Sequence, residues 1–366
     1  SPQTKYQLHK LHIDACIKNN SHEMNLLSDF AQFHLRGNFN YATLIQSINN
    51  LIGDKLPTLP GLHRKTNENN NNFSVSGIIQ KSDWLNKLFN IPVELKSPVI
   101  LQAAINDRAH TLALTANLPD FSYSGSTYKN GYIRLTTPND TLKGEMKLSK
   151  INKSGRIDAI ELQAAAADNK LATKIYYDNN NRQLRVKGLL FSDTQFYKTL
   201  QNQNAAHASI HSSHLQIGDS IWTIEPSNII YYKNHLSIDH FAVRHNNQHL
   251  IINGTATPYK QDSVLVNLQD IDVSYILNLV NFHAVNFGGK ASGNACVSSA
   301  FNQPNAYADL SVKNFTFEEG RMGTLLAHVN YDKVKNQINL TSTAQDGPAS
   351  QTIGNVYIHQ TRHDGL

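Results

Sequence analysis

Apolar and polar residues alternate at period two over much of the chain. Leu142, Gly144, Met146 and Leu148 form one run, and Leu184, Val186, Gly188 and Leu190 form another. Leu250, Ile252, Gly254 and Ala256 follow, then Val264, Val266 and Leu268, then Leu325, Ala327, Val329 and Tyr331. Successive strand side chains point to opposite faces, so each run builds one apolar face and one polar face. Turn chemistry falls between the runs, at Lys129-Asn130-Gly131, Pro138-Asn139-Asp140, Asp178 to Asn181, Pro258 to Asp262 and Asp332 to Asn336. The pattern predicts an all-β fold, an antiparallel meander.

Short stretches at helical spacing interrupt the meander. Leu44, Ile45, Ile48, Leu51 and Ile52 predict a helix at about 40–52, and Asp83 opens a second with an N-cap at about 82–90. Two more are expected at about 193–201 and 273–281. Three segments result: 1–125, β-rich with the first two helices; 126–215, a meander with the third; and 216–366, with the fourth. Short helices of this kind can cap the open edges that a long sheet must protect.

Composition argues for a thin architecture. Of 366 residues, 40% are hydrophobic and 17% charged, and Asn runs such as Asn69 to Asn72 fill the difference. Such a chain can bury apolar stripes but not one thick core. The formal charge is +5, yet Lys and Arg are scattered; the densest basic run, His63-Arg64-Lys65, reads as a solvated loop. Nucleic acid is therefore not an expected partner. Cys16 and Cys296 lie far apart and suggest neither a disulfide framework nor a metal site. No stretch reaches the about 20 apolar residues of a membrane span, and no signal peptide is evident. The opening Ser1-Pro2-Gln3 reads as a cut inside a longer chain, with any anchor outside it.

Candidate chemistry is sparse. His207, His211 and His214 would share a helical face at i, i+4, i+7, but their surroundings read equally well as strand, which scatters ligands. His240, His245 and His249 bracket a hairpin without a thiol or carboxylate at ligand spacing. Nucleophile elbows, zinc-protease motifs and phosphate loops are absent, Gly288-Gly289-Lys290 included. The pairs Asp270 with Asp272 and Glu318 with Glu319 read as turns or solvated faces. Tyr176-Tyr177, Trp222, Tyr231-Tyr232, Phe315 and Phe317 read as sheet packing. No catalytic residue, metal or cofactor is expected, so the chain reads as non-enzymatic.

Residues 220–345 resemble the TamB family, in the AsmA-like group of bridge-like lipid-transfer proteins. The likeness is an ordered series that begins with Trp222-Thr223-Ile224-Glu225-Pro226 and Leu236-Ser237-Ile238-Asp239-His240-Phe241. Leu250-Ile251-Ile252-Asn253-Gly254 then leads to Leu268-Gln269-Asp270-Ile271-Asp272 and Gly289-Lys290-Ala291-Ser292-Gly293. Asp309-Leu310-Ser311-Val312, Phe315-Thr316-Phe317 and Met322-Gly323-Thr324-Leu325 close it. The series covers about a third of the chain. The resemblance implies a middle segment of an inner-membrane-anchored periplasmic protein. It implies an elongated, curled antiparallel sheet, a β-taco with an open apolar groove. Such a protein pairs with TamA, a BamA-like outer-membrane barrel, through a region outside this chain, and serves outer-membrane assembly and phospholipid movement between the membranes.

A sheet with one aliphatic face needs a cover. A sheet rolled without closing offers a dry groove for acyl chains. The expected lining is Leu142, Met146, Leu148, Leu184, Val186, Leu190, Leu250, Ile252, Val264, Val266, Leu268, Leu325 and Val329. Two other classes compete. One is a secreted or surface adhesion module, a β-sandwich or β-helix with sealed faces. The other is a carbohydrate-active enzyme, which requires two opposed carboxylates that the sequence does not locate.

Overall fold

A computed structural model describes residues 8–19, 21–62, 70–82, 92–123, 125–151, 155–182, 184–275, 286–318, 320–332, 337–348 and 352–359. The fold is all-β and antiparallel, as the alternation predicts. The chain divides into two units, Ser1–Thr199 with Leu215–Asp219, and Leu200–His214 with Ser220–Leu366. No helix among the described residues is long and apolar enough to cross a membrane.

Unit 1 holds β1 (Leu11–Lys18), β2 (Ser21–Ser28), β3 (Ala31–Asn38), α1 (Leu44–Lys55), β4 (Asn72–Ile79), β5 (Val93–Leu95) and β6 (Val99–Asn106). It continues with β7 (Thr111–Tyr123), β8 (Ser126–Thr136), β9 (Leu142–Ile151), β10 (Ile157–Ala167), β11 (Lys170–Asp178) and β12 (Val186–Lys198). Each strand pairs with the next along the chain, except that β4 pairs with β6 and the short β5 lies against the end of β7. β7 and β8 pair as one hairpin across the expected 125/126 boundary, from Tyr123 opposite Ser126 to Ala113 opposite Thr136. Between β10 and β11, Asp168 and Asn169 both have positive φ (50° and 64°), the geometry of a tight two-residue hairpin.

Unit 2 follows the same plan. It comprises β13 (Asn204–Ile210), the start of β14 (Ser213–Ile217), β15 (Ser220–Ile224), β16 (Ser227–Tyr232), β17 (His235–His245) and β18 (Gln248–Ala256). It ends with β19 (Ser263–Asp272), β20 (Phe287–Ser298), β21 (Asn305–Phe317), β22 (Gly320–Asp332), β23 (Gln337–Gln345) and β24 (Thr352–His359). β13 pairs with β16, and from β16 to β24 each strand pairs with its successor. Register shifts at Ile238/Phe241, Leu268/Ile271, Gly288/Lys290 and Val312/Phe315 insert bulges, which bend strands and raise their twist.

The first expected helix is present as α1, entered through a 3-10 turn at Tyr41–Thr43 whose N-cap Asn40 accepts from Ala42 N. The expectation at 82–90 falls almost wholly outside the described residues. Of the one at 273–281, residues 273–275 are helical and the rest lies outside the described residues. The helix expected at 193–201 is instead strand: β12 continues to Lys198, with Thr194 opposite Leu171 and Gln195 opposite Lys170. Phe196 N donates to Asn169 O and its side chain is buried, so a free ladder edge on β11 decides the state. Lys129-Asn130-Gly131, expected as a turn, is a bulge inside β8, where Asn130 takes φ 52° and the register to β9 shifts. Among the other expected turns, 138–140 falls between β8 and β9 and 258–262 between β18 and β19.

Candidate functional site: one apolar face in each unit

Register settles which side chains share a face. In unit 1 a single row crosses eleven strands: Ile13, Leu26, Phe33, Gly77, Leu101, Ala116, Ile133, Met146, Leu162, Ile175 and Leu190, each opposite the next. Alternation along β9 and β12 puts Leu142, Leu148 and Val186 on that face too. Leu184 precedes β12, in the turn where its carbonyl accepts from Asn179 Nδ2, so no ladder fixes its side. The other face is polar: His34, Ser76, Gln102, Thr115, Arg134, Glu145, Gln163 and Lys174 form its neighbouring row.

In unit 2, Leu250 stands opposite Leu268, Ile252 opposite Val266, and Gly254 opposite Val264. From Val266 the row runs through Ala295, Ala308, Val329 and Leu340, and Leu325 joins the same face opposite Val312. All seven unit-2 lining residues therefore lie on one face of that unit.

Burial along the unit-1 face is graded. Phe73, Ile105, Leu112, Leu142, Ala166 and Phe196, at one end of their strands, are at most 8% exposed. Met146, Leu148, Val186 and Leu190 are half-buried, and Ile175 is 37% exposed. In unit 2, Leu250, Ile252, Val264, Val266, Leu268, Leu325 and Val329 are half-buried as well.

Helix α1 explains the buried end. Asp107, in the β6–β7 turn, accepts from Ser47 Oγ and from Asn71 N, both at 2.8 Å. Asn71 Nδ2 returns bonds to Ser47 Oγ (2.7 Å) and Thr43 Oγ1 (2.9 Å). Asp54 meets His110 Nδ1 at 2.9 Å, Lys55 Nζ pairs with Asp140, and the Lys55 carbonyl accepts from Asn169 N. Three hairpin turns at one end of the strands, β6–β7, β8–β9 and β10–β11, are thus tied to one helix. The Lys55 ammonium, beside Asp140, holds that carboxyl below its ordinary range.

At the opposite strand ends the chemistry changes. Asp158, 8% exposed, stands opposite Lys150 and accepts from Tyr177 Oη at 3.3 Å, with Arg156 Nε 3.7 Å away. Desolvation pushes the Asp158 carboxyl above the usual carboxylate range and the Tyr177 phenol above its own. Asp178, one residue from Tyr177 and on the other face, is held low by a two-pronged bond from Arg185 (3.2 and 2.6 Å) and by Asn180 N and Tyr176. Sequence reading overlooked Lys150, Arg156 and Asp158, and took Tyr177 for sheet packing alone. The signal was there: Lys150 and Asp158 break the apolar parity of Leu142 to Leu148 and of Ile160 to Leu162.

The histidines are dispersed. His207 bonds Asn228, His245 the Ile221 carbonyl, and His249 Asn267, while His240 pairs with Glu225. No group of three potential ligands suited to a metal occurs among the described residues. Asp272 binds Lys290 and caps Ser274, Asp270 accepts from Ser292, and Glu318 accepts from Asn286. Trp222 is buried against His245 and Tyr275. The basic run His63-Arg64-Lys65 lies outside the described residues. Comparison with known proteins adds no relative: no family model matches the chain, and neither a curated protein nor a solved structure does.

Proposed function

We propose that the two apolar faces carry acyl chains, and that the chain is a non-catalytic segment of a TamB-like envelope protein moving phospholipid between membranes. The observation that carries this reading is the half-exposure of a continuous aliphatic row. A sealed sandwich, the adhesion alternative, would bury Met146, Leu162 and Ile175, yet Met146 and Leu162 stay half-buried and Ile175 more open still. Each methylene laid on such a face contributes about 0.8 kcal/mol, so a pair of acyl chains is held without specific polar contacts. Passage along the face breaks no bond and calls for no catalytic set. In this reading the periplasm is the compartment, and a TamA/BamA-like outer-membrane barrel is the partner of the whole assembly.

Native mass spectrometry of the gently purified chain tests the proposal. Co-purified phospholipid, reduced in a folded Val266→Asp variant, supports it. A lipid-free mass, or unchanged lipid occupancy in that variant, counts against the lining.

A further inference from the structure

The row of the unit-1 face farthest from α1 is built unlike the rest. Phe121 of β7 stacks on Tyr128 of β8, with ring centroids 5.2 Å apart and planes 17° off parallel. Tyr128 stands opposite Lys150, and Lys150 opposite Asp158. Tyr177 and Arg156 complete the group around Asp158, whose Oδ1 accepts no hydrogen bond from the described residues. Aromatic rings and opposite charges thus border an aliphatic field whose other end is tied under a helix. Rings and long charged side chains with an apolar body and a wet tip suit the boundary between hydrocarbon and water.

The two signs of charge narrow the occupant. A headgroup carrying negative charge alone would meet the buried Asp158, and one carrying positive charge alone would meet Lys150 and Arg156. A headgroup with both signs is complementary to the whole row. We propose that Lys150, Arg156, Asp158 and the Tyr128 ring form a headgroup site for a zwitterionic glycerophospholipid. Its phosphate sits on Lys150 and Arg156 and its ammonium on Asp158, with the Tyr128 ring flanking Lys150 on the far side. Its acyl chains run over Leu148, Ile160 and beyond. This site rests on the acyl-chain reading of the face.

The test incubates the purified chain with vesicles of equimolar dioleoyl phosphatidylethanolamine and dioleoyl phosphatidylglycerol, re-isolates it and quantifies the extracted lipids. The expected result is a preference of about tenfold for the ethanolamine lipid, the scale of one charge-assisted contact. Asp158→Asn and Lys150→Met should each return the ratio toward that of the vesicles with total lipid unchanged. Lys150 is half-buried, so its variant answers the question if Asp158→Asn does not fold. Bound lipid that mirrors the vesicles, or a preference that survives both substitutions, overturns the headgroup site and leaves the groove standing. No bound lipid at all overturns the groove and the site together.

Discussion

Phe33 lays its ring over Gly77, directly across the β3–β4 ladder: a Cβ on Gly77 would sit 2.2 Å from Phe33 Cδ1. The ring fills the gap that the glycine leaves in an otherwise aliphatic row. Gly77→Val should therefore destabilise unit 1 by about 1–3 kcal/mol through overpacking. Adding Phe33→Ala should recover part of the loss. Urea denaturation of the two single variants and the double variant measures the coupling, and strict additivity would refute the packing.

Gly293 meets a different constraint. Its φ is +149°, and a Cβ would stand 2.0 Å from the Asp309 carbonyl oxygen across the β20–β21 ladder. Gly293→Ala should cost more than about 1 kcal/mol, since the backbone itself must move. Gly144→Ala is the control: its Cβ would touch the end of the Leu135 side chain at 3.2 Å, and φ there is ordinary. Thermal melts should separate the two clearly.

Asp107→Ala strips the acceptor from both Ser47 and the Asn71 amide. Leaving those donors without it should cost about 2 kcal/mol. Hydrogen exchange gives the more specific reading: amides of α1 should lose protection while those of β9 and β10 keep theirs. Uniform loss throughout unit 1 would mean that the helix is not a separable cover.

Asp158 and Asp178 should respond oppositely to pH. Asp178 is held low, so its contribution is present above the ordinary carboxylate pKa of about 3.9 and lost as pH falls through its folded value. Asp158 is raised, so its folded form is favoured in acid and penalised as pH rises through its folded value. Asp178→Asn should therefore weaken the protein at neutral pH and matter little in strong acid. Asp158→Asn should gain on wild type as pH climbs from 4 to neutrality. Denaturation midpoints across that range check both signs.

Much of this was legible in the residues. Leu142, Met146 and Leu148 share a face because period two is a local property, and each strand carries it alone. That Met146 meets Leu162, Ile175 and Leu190 in one row required pairing partners and register, which alternation does not specify. Phe196 shows the limit for short segments: over eight residues, apolar spacing fits helix and strand alike, and the open edge of β11 chose strand. Asn130-Gly131 carried the chemistry of a turn, but a bulge uses the same left-handed backbone. Lys150 and Asp158 went unnoticed because charge at a strand end reads as solvent-facing until the register puts both on the apolar side.

The eleven-strand row of unit 1 also makes length a modular property. Its strands pair mainly with their ladder neighbours, so stability is close to a sum of adjacent pairings, as in repeat proteins. Unfolding should then travel inward from the outermost hairpin like a zipper rather than collapse at once. Evolution could lengthen or shorten the row by a hairpin, about 10 Å at a time at the usual strand spacing. The remaining pairings would be untouched, so the number of strands sets the length of the apolar row.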